Sequence, residues 1–465
     1  MNSYNPDDAI AAIATSIAPS ALAVIRVSGK GCIELLSKVF SRPKSLLQAQ
    51  GNSIVYGWIV ENSVRIDEVL VSVFRAPKSY TGEDMAEISC HGGIKPVTSV
   101  FNLLLKSGFR QAERGEFTFR SFINGKTDLT KAEAVREIIE SKTDTSRGLA
   151  VGRLSGNLFE QINNIKQKII SIISSIEVEI EYPEDEENFA ETFDTSPLEQ
   201  VCAELSELSN SWKSQKLYQD GARVILAGKT NAGKSSLFNA LLKEERAIVS
   251  DIEGTTRDWI ESWVSFDGIP ARLFDTAGLR ETDDVIEKKG VEMTYGLTKD
   301  ADVIIYLVDI SQKYDKNDEI YDILKNMTVP IVKVYNKVDI LHDSIHQDNS
   351  SQAVYISAKT GQGVSDLIQK VKSVLLSSVQ NMTTEREQAG LGSERQKKAV
   401  DEALDSVSHA LQVSHGQSED FGSEISLDAI VQDLEDSLSF LSEIIGEVTP
   451  DDILENIFAN FCVGK

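Results

Sequence analysis

The residues best suited to do chemistry form a glycine-rich segment that ends in a lysine and a serine. Residues 225–241 read ILAGKTNAGKSSLFNAL, in which four residues separate Gly228 from Gly233-Lys234-Ser235. An apolar strand pattern precedes the segment and a helical pattern follows it, and in this context backbone N–H groups and a helix N-terminus bind phosphates. The lysine of such a loop reaches the outer phosphates, and the serine hydroxyl binds Mg²⁺. The predicted nucleotide contacts are Asn231, Ala232, Gly233, Lys234, Ser235 and Ser236.

Two further segments fit a site of the same kind. The segment Asp275-Thr276-Ala277-Gly278 ends an apolar strand pattern, where its acid would face the water shell of Mg²⁺ and its glycine would donate an N–H to a γ-phosphate. Thr255 and Thr256 lie in a polar loop before another strand, so either hydroxyl can close on the metal when a triphosphate is bound. Each segment alone is as compatible with an ordinary turn. Together with the phosphate loop they predict a site for a nucleoside triphosphate and Mg²⁺.

The base is predicted from a segment that follows a later strand. Asn336-Lys337-Val338-Asp339 comes after the apolar run PIVKVY, and a carboxylate at Asp339 can accept from N1–H and the exocyclic amine of guanine. Adenine lacks this donor pair and would leave the carboxylate unpaired. Lys337 can lie over the base, and a backbone N–H of Ser357-Ala358-Lys359 can meet the guanine carbonyl. The predicted nucleotide is therefore GTP.

Apolar strands and helical patterns alternate around these motifs. From Gly221 onward the strand patterns are RVILAG, ARLFD, DVIIYLVD, PIVKVYNKVD and AVYISA, which predicts a mostly parallel α/β sheet. Helical patterns flank this part on both sides. Thr130 with Glu133 is predicted to cap the first of them, and Ser393 with Gln396 a later one. We therefore predict an α/β domain inserted into a helical domain, behind an N-terminal part that reads as strands bounded by turns.

The chain has 465 residues, and at about 150 residues per domain it is expected to hold about three domains. The N-terminal α+β domain is predicted over residues 1–125. The helical domain is predicted to be discontinuous, with residues 126–218 and 379–465 on either side of a P-loop domain at residues 219–378.

The composition narrows the class of protein. Lys and Arg number 47 against 72 Asp and Glu, a formal charge of −25, which argues against a chain coated with nucleic-acid-binding charge. The four cysteines lie far apart, which argues against a zinc ribbon or a disulfide framework and favours a reducing cytoplasm. No segment is predicted to span a membrane.

The motifs GKTNAGKS, GTTRD, DTAG, NKVD and SAK resemble those of the Ras-like GTPases, specifically the TrmE–Era group. The segments SYTGEDMAEISCHGG, RGEFTFRSFINGKTDLTKAEAV and IFANFCVGK resemble the MnmE/TrmE family of tRNA-modification GTPases, so the resemblance spans nearly the whole chain. It implies a homodimer with an N-terminal folate-binding and dimerisation domain, a helical domain and an inserted Ras-like GTPase domain. It also implies a flavoprotein partner, MnmG (GidA), with FAD and NADH. The implied reaction adds an aminomethyl or carboxymethylaminomethyl group to C5 of a tRNA wobble uridine, with 5-formyltetrahydrofolate or a related folate as one-carbon donor.

The resemblance also implies roles at individual positions of the GTPase domain. Ser235 and Thr256 would bind Mg²⁺. Glu287 would orient the attacking water, because Leu279 stands where Ras carries its glutamine; a surface role for this acid stays open. A K⁺ ion would stabilise charge on the β- and γ-phosphates, and its binding site would form when two GTPase domains dimerise. Its implied ligands are Asn231, Ser250, the backbone of Ile252, and Thr255. The implied nucleotide-binding loop is Ser250, Asp251, Ile252, Glu253, Gly254, Thr255 and Thr256.

The folate-binding residues implied by the resemblance are Arg26, Glu87, Lys126 and Lys465. A carboxylate suits the N–H donors of a pterin, and cationic side chains suit carboxylates. Cys462 is a candidate functional thiol, although a buried structural cysteine is equally compatible. The family usually has a glycine-rich stretch before the first strand, where this chain reads SIAPSALAVIRVSG.

Two other functions remain compatible with the sequence. One is an Era-like GTP-dependent switch in ribosome or RNA assembly that performs no base chemistry. In the other, the N-terminal domain serves only to dimerise the chain. A measurement of folate binding distinguishes the Era-like switch from the leading prediction. Loss of dimerisation without loss of folate binding would show that dimerisation and folate binding are separate roles of the N-terminal domain.

Overall fold

The structure is a computed structural model that describes residues 5, 8–181, 194–244, 260–275, 301–311, 319–340, 353–377, 390–415 and 426–465. Within these ranges no helix combines the length and the apolar character that crossing a membrane requires. The chain divides into two compact units. One contains residues 1–136, 153–203 and 398–465, and the other contains residues 137–152 and 204–397.

The N-terminal part is a six-stranded sheet with four short helices. The strands are β1 (Ile10–Ile13), β2 (Leu22–Ser28), β3 (Ser53–Glu61), β4 (Val64–Phe74), β5 (Met85–His91) and β6 (Arg110–Gln111). Their order is β3-β4-β5-β2-β1-β6, and every neighbouring pair is antiparallel except β1 with β6. The helices are α1 (Cys32–Ser37), α2 (Pro43–Leu47), α3 (Ile94–Lys106) and α4 (Glu116–Ile123).

The two faces of this sheet differ in polarity because side chains alternate along each strand. One face contributes Ile25, Val71 and Ile88 to a core that also contains Val100 and Leu104 of α3. The opposite face leaves Leu22, Ile54, Tyr56 and Leu70 at least two-fifths exposed. The sheet therefore has a closed face and an open face, and the open face is covered at β1 and the end of β2, where Ile10 and Ala12 pack with Phe117 of α4.

A buried network of charges ties α4 to the start of the chain. Arg120 is fully buried, and its guanidinium contacts Glu116 at 3.0 Å and Glu83 at 3.1 Å. The same guanidinium donates to the carbonyl oxygen of Asp8 at 3.0 Å. Burial acts to raise the pKa of Glu116, but hydrogen bonds from Arg110 and the backbone outweigh it and hold that pKa below its usual value.

Among the described residues, the helices that follow are α5 (Leu129–Glu140), α6 (Asp144–Ser155), α7 (Asn157–Glu181) and α8 (Ser196–Asp220). The predicted capping box at Thr130 is wrong. Helix α5 begins at Leu129, two residues earlier than a cap at Thr130 would place it, so Asp128 is its cap and accepts from the backbone N–H of Lys131 at 3.0 Å. Six isoleucines of α7 recur at helical spacing and are buried, as their pattern predicts: Ile162, Ile165, Ile169, Ile172, Ile173 and Ile176.

The second sheet has six strands, of which only β8 runs antiparallel to its neighbour. Its order is β12-β11-β10-β7-β9-β8. The strands are β7 (Ala222–Gly228), β8 (Ile260–Phe266), β9 (Ile269–Asp275), β10 (Val303–Asp309), β11 (Ile331–Asn336) and β12 (Val354–Tyr355). The helices of this part are α9 (Lys234–Glu244), α10 (Glu319–Lys325) and α11 (Val364–Ser377).

Three further helices follow the second sheet: α12 (Glu394–Ser414), α13 (Leu427–Ile445) and α14 (Asp451–Ala459). The predicted cap of α12 is confirmed, because the hydroxyl of Ser393 accepts from the N–H of Gln396 at 3.3 Å. Helix α13 packs against α7 through a buried apolar stripe.

The predicted fold class is confirmed. An α+β N-terminal part precedes helices α5–α8, and helices α12–α14 follow the second sheet, so a domain with a mostly parallel sheet in Ras-like strand order is inserted into a discontinuous helical domain. The individual domain boundaries at 125, 218 and 378 stay predictions.

Candidate functional site

The phosphate loop connects the end of β7 to the beginning of α9. Strand β7 ends at Gly228 and α9 begins at Lys234, so residues 229–233 turn the chain at the helix N-terminus. Asn231 and Gly233 have φ angles of +64° and +98°, in the left-handed region. A Cβ on Gly233 would lie 2.2 Å from Nδ2 of Asn336, so the loop requires glycine there. This is the arrangement that binds phosphate groups.

The side chains of this loop differ in burial, and their predicted roles stay predictions. Lys234 is 8% exposed, and its ammonium donates to the carbonyl oxygens of Gly228 at 2.7 Å and Lys229 at 3.0 Å. Asn231 and Ser235 are exposed residues. The lysine therefore lies within the loop, while the predicted K⁺ and Mg²⁺ ligands face outward.

Asn336 joins the phosphate loop to the two segments that are predicted to read the base. It is 2% exposed, and its Nδ2 donates to the carbonyl oxygen of Ala232 at 2.9 Å. Its Oδ1 accepts from the backbone N–H groups of Lys337 at 2.8 Å and Ala358 at 3.0 Å. The predicted contact of a backbone N–H of residues 357–359 with the guanine carbonyl stays a prediction.

Lys337 is held by an acid that the sequence reasoning did not single out. Its ammonium lies 2.6 Å from Oδ2 of Asp309, the last residue of β10. Burial acts to raise the pKa of Asp309, but hydrogen bonds from Lys337 and Ser311 outweigh it and keep that pKa below its usual value. The signal for Asp309 is its place at the end of β10, because the ends of parallel neighbouring strands meet at one edge of the sheet and Asp309 lies opposite Asn336 of β11.

Asp339 carries a charge that suits guanine recognition. The hydroxyl of the buried Ser357 donates to its Oδ1 at 2.6 Å. This hydrogen bond, with the nearby cations Lys359 and Lys337, lowers the pKa of Asp339 below its usual value. The carboxylate is therefore ionised at neutral pH and can accept from two donors of a base.

Several predicted site residues lie outside the part of the chain that the structure describes. They are Ser250, Asp251, Ile252, Glu253, Gly254, Thr255, Thr256, Thr276, Ala277, Gly278 and Glu287. Asp275 is the last residue of β9, in the strand next to β7. The described half of the site thus comprises the phosphate loop and the base-reading segments.

A second cluster of predicted residues lies on the open face of the N-terminal sheet. Arg26 of β2 is opposite Glu87 of β5, and its Nε and Nη2 donate to Oε1 of that carboxylate at 3.0 and 2.7 Å. Its Nη1 donates to the carbonyl oxygen of Gly464 at 2.8 Å. The guanidinium carbon lies 5.5 Å from the ring centre of Tyr80 and 5.6 Å from that of Phe117.

The two predicted lysines of this cluster differ in position. Burial lowers the pKa of Lys465, the charge of Arg26 lowers it further, and Glu87 opposes the shift, so these three groups lie close enough to interact. Lys126 is exposed, and its ammonium donates to the carbonyl oxygen of Pro77 at 3.0 Å. The structure therefore brings Arg26, Glu87 and Lys465 together, and it turns Lys126 toward another partner.

Two aromatic residues of this cluster were missed, and one candidate stays open. Tyr80 and Phe117 lie in segments that resemble the family, but nothing in those segments indicates that both rings lie next to Arg26. Tyr80 lies in the loop between β4 and β5 and Phe117 lies in α4, so their approach to Arg26 depends on tertiary packing. Cys462 is exposed, so the alternative of a buried structural cysteine is wrong, while its functional role stays a prediction.

A phosphate loop joined to guanine-reading segments on a Ras-like sheet defines a P-loop GTPase, which takes GTP with Mg²⁺. A family model described as the MnmE helical domain matches residues 129–462. A second, described as the N-terminus of the GTP-binding protein TrmE, matches residues 9–126. The chain therefore belongs to the MnmE family of tRNA modification GTPases.

Individual relatives agree with this family over their full length. A tRNA modification GTPase MnmE of Treponema denticola is 49% identical over 475 residues, which cover 99% of each chain. The MnmE of Borreliella burgdorferi is 40% identical over 471 residues and covers 99% of each chain. The MnmE of Carboxydothermus hydrogenoformans is 41% identical over 472 residues, 99% of this chain and 100% of the relative. The predicted family and enzyme class are confirmed.

Proposed function

We propose that this chain is a K⁺-activated GTP hydrolase that acts as a homodimer in the cytoplasm. Together with the flavoprotein MnmG, which uses FAD and NADH, it modifies C5 of the wobble uridine of certain tRNAs. A folate such as 5-formyltetrahydrofolate supplies the one-carbon unit. The observation that carries this proposal is the cluster of Arg26, Glu87 and Lys465, because an Era-like switch without base chemistry has no use for such a centre.

The folate proposal rests on the chemistry of that cluster. The carboxylate of Glu87 can accept from the N–H donors of a pterin, and the cations of Arg26 and Lys465 can pair with carboxylates. Tyr80 and Phe117 add aromatic surface on either side of the guanidinium. The missing glycines before β2 do not alter these groups, all of which are side chains.

Equilibrium binding of 5-formyltetrahydrofolate to the full chain tests this site. Arg26→Gln removes the charge that we assign to ligand carboxylates, and we expect affinity to fall about 10–100-fold, as for a charge-assisted hydrogen bond. Arg65→Gln is a matched control, because its guanidinium also stacks on a ring, that of Trp58 at 4.8 Å, in the same sheet. Equal affinity of the Arg26 variant and the parent would overturn the folate site.

The K⁺ proposal rests on the phosphate loop. Asn231 is exposed at the position where a monovalent cation could contact both the loop and the β–γ region of GTP. A fixed cation there stabilises the charge that develops during hydrolysis. Leu279 cannot orient water as the Ras glutamine does, so in our proposal Glu287 orients the water and the cation stabilises the charge.

GTP turnover in KCl and in NaCl at matched ionic strength tests the ion. We expect strong activation by KCl, and we expect Asn231→Ala to abolish the difference between the salts. Glu287→Ala should slow hydrolysis and spare GTP binding. Equal rates in both salts would overturn the proposed K⁺ site, but they would not affect the assignment of the chain as a GTPase.

The homodimer proposal rests on the open face of the N-terminal sheet. Tyr56 pairs with Leu70 across β3 and β4, and exposed Ile54 and Leu22 lie on the same face. Apolar side chains of this size at 44–67% exposure mark an interaction surface. Sedimentation should show a dimer that Leu70→Glu dissociates. Ile340→Glu is the matched control, since Ile340 is an exposed apolar residue of the GTPase domain.

The tRNA itself requires positive charge on some part of the assembly. Residues 1–126 hold 14 Lys and Arg against 11 Asp and Glu, whereas the remaining residues hold 33 against 61. This asymmetry supports contact of tRNA through the N-terminal domain or through MnmG. It argues against contact spread over the acidic helical and GTPase parts.

A further inference from the structure

We propose that Asp309 is a positioning residue of the GTPase, which holds the ammonium of Lys337 so that its side chain is ready to lie over the guanine base. The inference rests on the proposed role of Lys337 in binding the base. It extends that role to a residue outside the recognised motifs.

The backbone of Lys337 is held in an uncommon conformation. Its φ is +72°, in the left-handed region that non-glycine residues seldom adopt. The N–H of Lys337 donates to Asn336 at 2.8 Å, and the next N–H, of Val338, donates to the carbonyl oxygen of Ile356 at 3.2 Å. With the backbone held on both sides, the remaining freedom is that of the flexible lysine side chain, which is costly to order.

Asp309 supplies a fixed partner for that side chain. It is 8% exposed and lies opposite Asn336 in the parallel pair of β10 and β11. Its Oδ1 accepts from the N–H of Ser311 at 3.0 Å and from the hydroxyl of Ser311 at 2.6 Å. Its Oδ2 accepts from the ammonium of Lys337 at 2.6 Å. One oxygen therefore fixes the carboxylate, and the other fixes the lysine.

The contact with Asp309 lowers the conformational entropy that the Lys337 side chain loses when a nucleotide binds. A lysine that is already held by Asp309 loses little freedom when a base slides beneath its methylene stem. Lys337 is 29% exposed, so water weakens the pair without removing it. We expect the loss of Asp309 to weaken GDP binding about tenfold, which corresponds to ~1.4 kcal/mol.

A double-mutant cycle on the full chain tests this proposal, with fluorescent GDP as the probe. The variants are Asp309→Asn, Lys337→Ala and the two combined. If Asp309 acts through Lys337, Asp309→Asn weakens binding about tenfold in the parent and has little further effect in the Lys337→Ala background. Asp302→Asn is the matched control. Asp302 lies just before the same strand and accepts from the backbone N–H of Arg223 at 2.7 Å.

The outcomes separate the two assignments. Undiminished GDP binding by Asp309→Asn would overturn the positioning role. An equal loss in the parent and in the Lys337→Ala background would also overturn it, because Asp309 would then support the fold without acting through the lysine. An unchanged affinity of Lys337→Ala would instead overturn the assignment of Lys337 to the base. A similar loss in Asp302→Asn would show that any weakening of β10 impairs binding, and it would count against the proposal.

Discussion

The side-chain amide of Asn336 donates to the backbone carbonyl oxygen of Ala232 at 2.9 Å. This hydrogen bond connects the segment that is predicted to read the base with the loop that is predicted to bind phosphates, across 104 residues of chain. Because Asn336 is buried and also accepts two backbone N–H groups, it holds three loops at one edge of the sheet. The two ends of a guanine nucleotide would therefore meet surfaces whose separation is already set.

Gly233→Ala tests how tightly this junction is packed. The added methyl group would lie 2.2 Å from Nδ2 of Asn336, on a residue whose φ is +98°. We expect GDP affinity to fall at least about tenfold, because either the loop or Asn336 must move. Gly125→Ala is the control, since its φ of +65° carries similar backbone strain but nothing lies within 4 Å of its Cβ. A fluorescent GDP titration that gave the parent's affinity for Gly233→Ala would contradict the close packing.

Asp339→Asn tests the assignment of the base. The carboxylate accepts from the ring N–H and the amine of guanine, whereas xanthine offers a carbonyl where guanine has its amine. We expect the variant to prefer XTP over GTP, because an amide can donate to that carbonyl. Competition between the two nucleotides for the fluorescent probe measures the ratio. Unchanged selectivity for guanine would reject Asp339 as the base-reading residue.

Arg120→Ala tests the buried charges of the N-terminal unit. Arg120 and Glu116 are 0% and 1% exposed, and removing Arg120 takes from Glu116 one of its two cationic partners and from Glu83 the cation that it contacts at 3.1 Å. We expect the free energy of unfolding to fall by about 3–5 kcal/mol, measured by urea denaturation. Lys106→Ala is the control. It breaks a pair whose side chains are 69% and 42% exposed, and it should cost less than about 1 kcal/mol. Similar losses for both variants would contradict the difference in burial.

The cysteines should differ in reactivity. Burial raises the pKa of Cys90 to about 11, and the nearby charge of Asp67 adds to the effect. Burial likewise raises the pKa of Cys32, whereas Cys462 is exposed. Iodoacetamide at pH 8.5 should therefore alkylate Cys462 first, and peptide mass spectrometry would locate the label. Early labelling of Cys90 would contradict its burial.

The same thiol predicts a dependence of stability on pH. The pKa of Cys90 is higher in the folded chain than the ordinary value of 9.0. The unfolded chain therefore releases a proton that the folded chain keeps, and the contribution of Cys90 to stability falls as pH rises from about 9 to about 11. Urea midpoints measured across this window should decline less in Cys90→Ala than in the parent.

Much of the nucleotide site could be predicted because its signals are local. The order of strand, glycine loop and helix is legible over 17 residues around Gly233, and the structure places each of these elements there. The helical caps show the limit of such signals. Ser393 caps α12 as predicted, whereas Asp128, rather than Thr130, caps α5, because two polar side chains that could both cap a helix lie two residues apart at its start.

For the N-terminal cluster, the residues could be named from the sequence, but their contacts with one another could not. A family resemblance suggested Arg26, Glu87, Lys126 and Lys465, but no pattern in the chain said which of them would meet. Strand pairing brings Arg26 opposite Glu87, and the C-terminal residues reach the same face, while Lys126 turns to Pro77.

The amino-acid sequence sufficed to specify the GTPase chemistry, the alternation of strands and helices, and the insertion of one domain into another. Each of these depends on neighbours within a few turns or strands, where periodicity and side-chain type act directly. The partners of Arg26, and the acid that holds Lys337, depended on which strands lie side by side. The order of strands in a sheet is set by long-range packing, and it cannot be predicted from short segments of the chain.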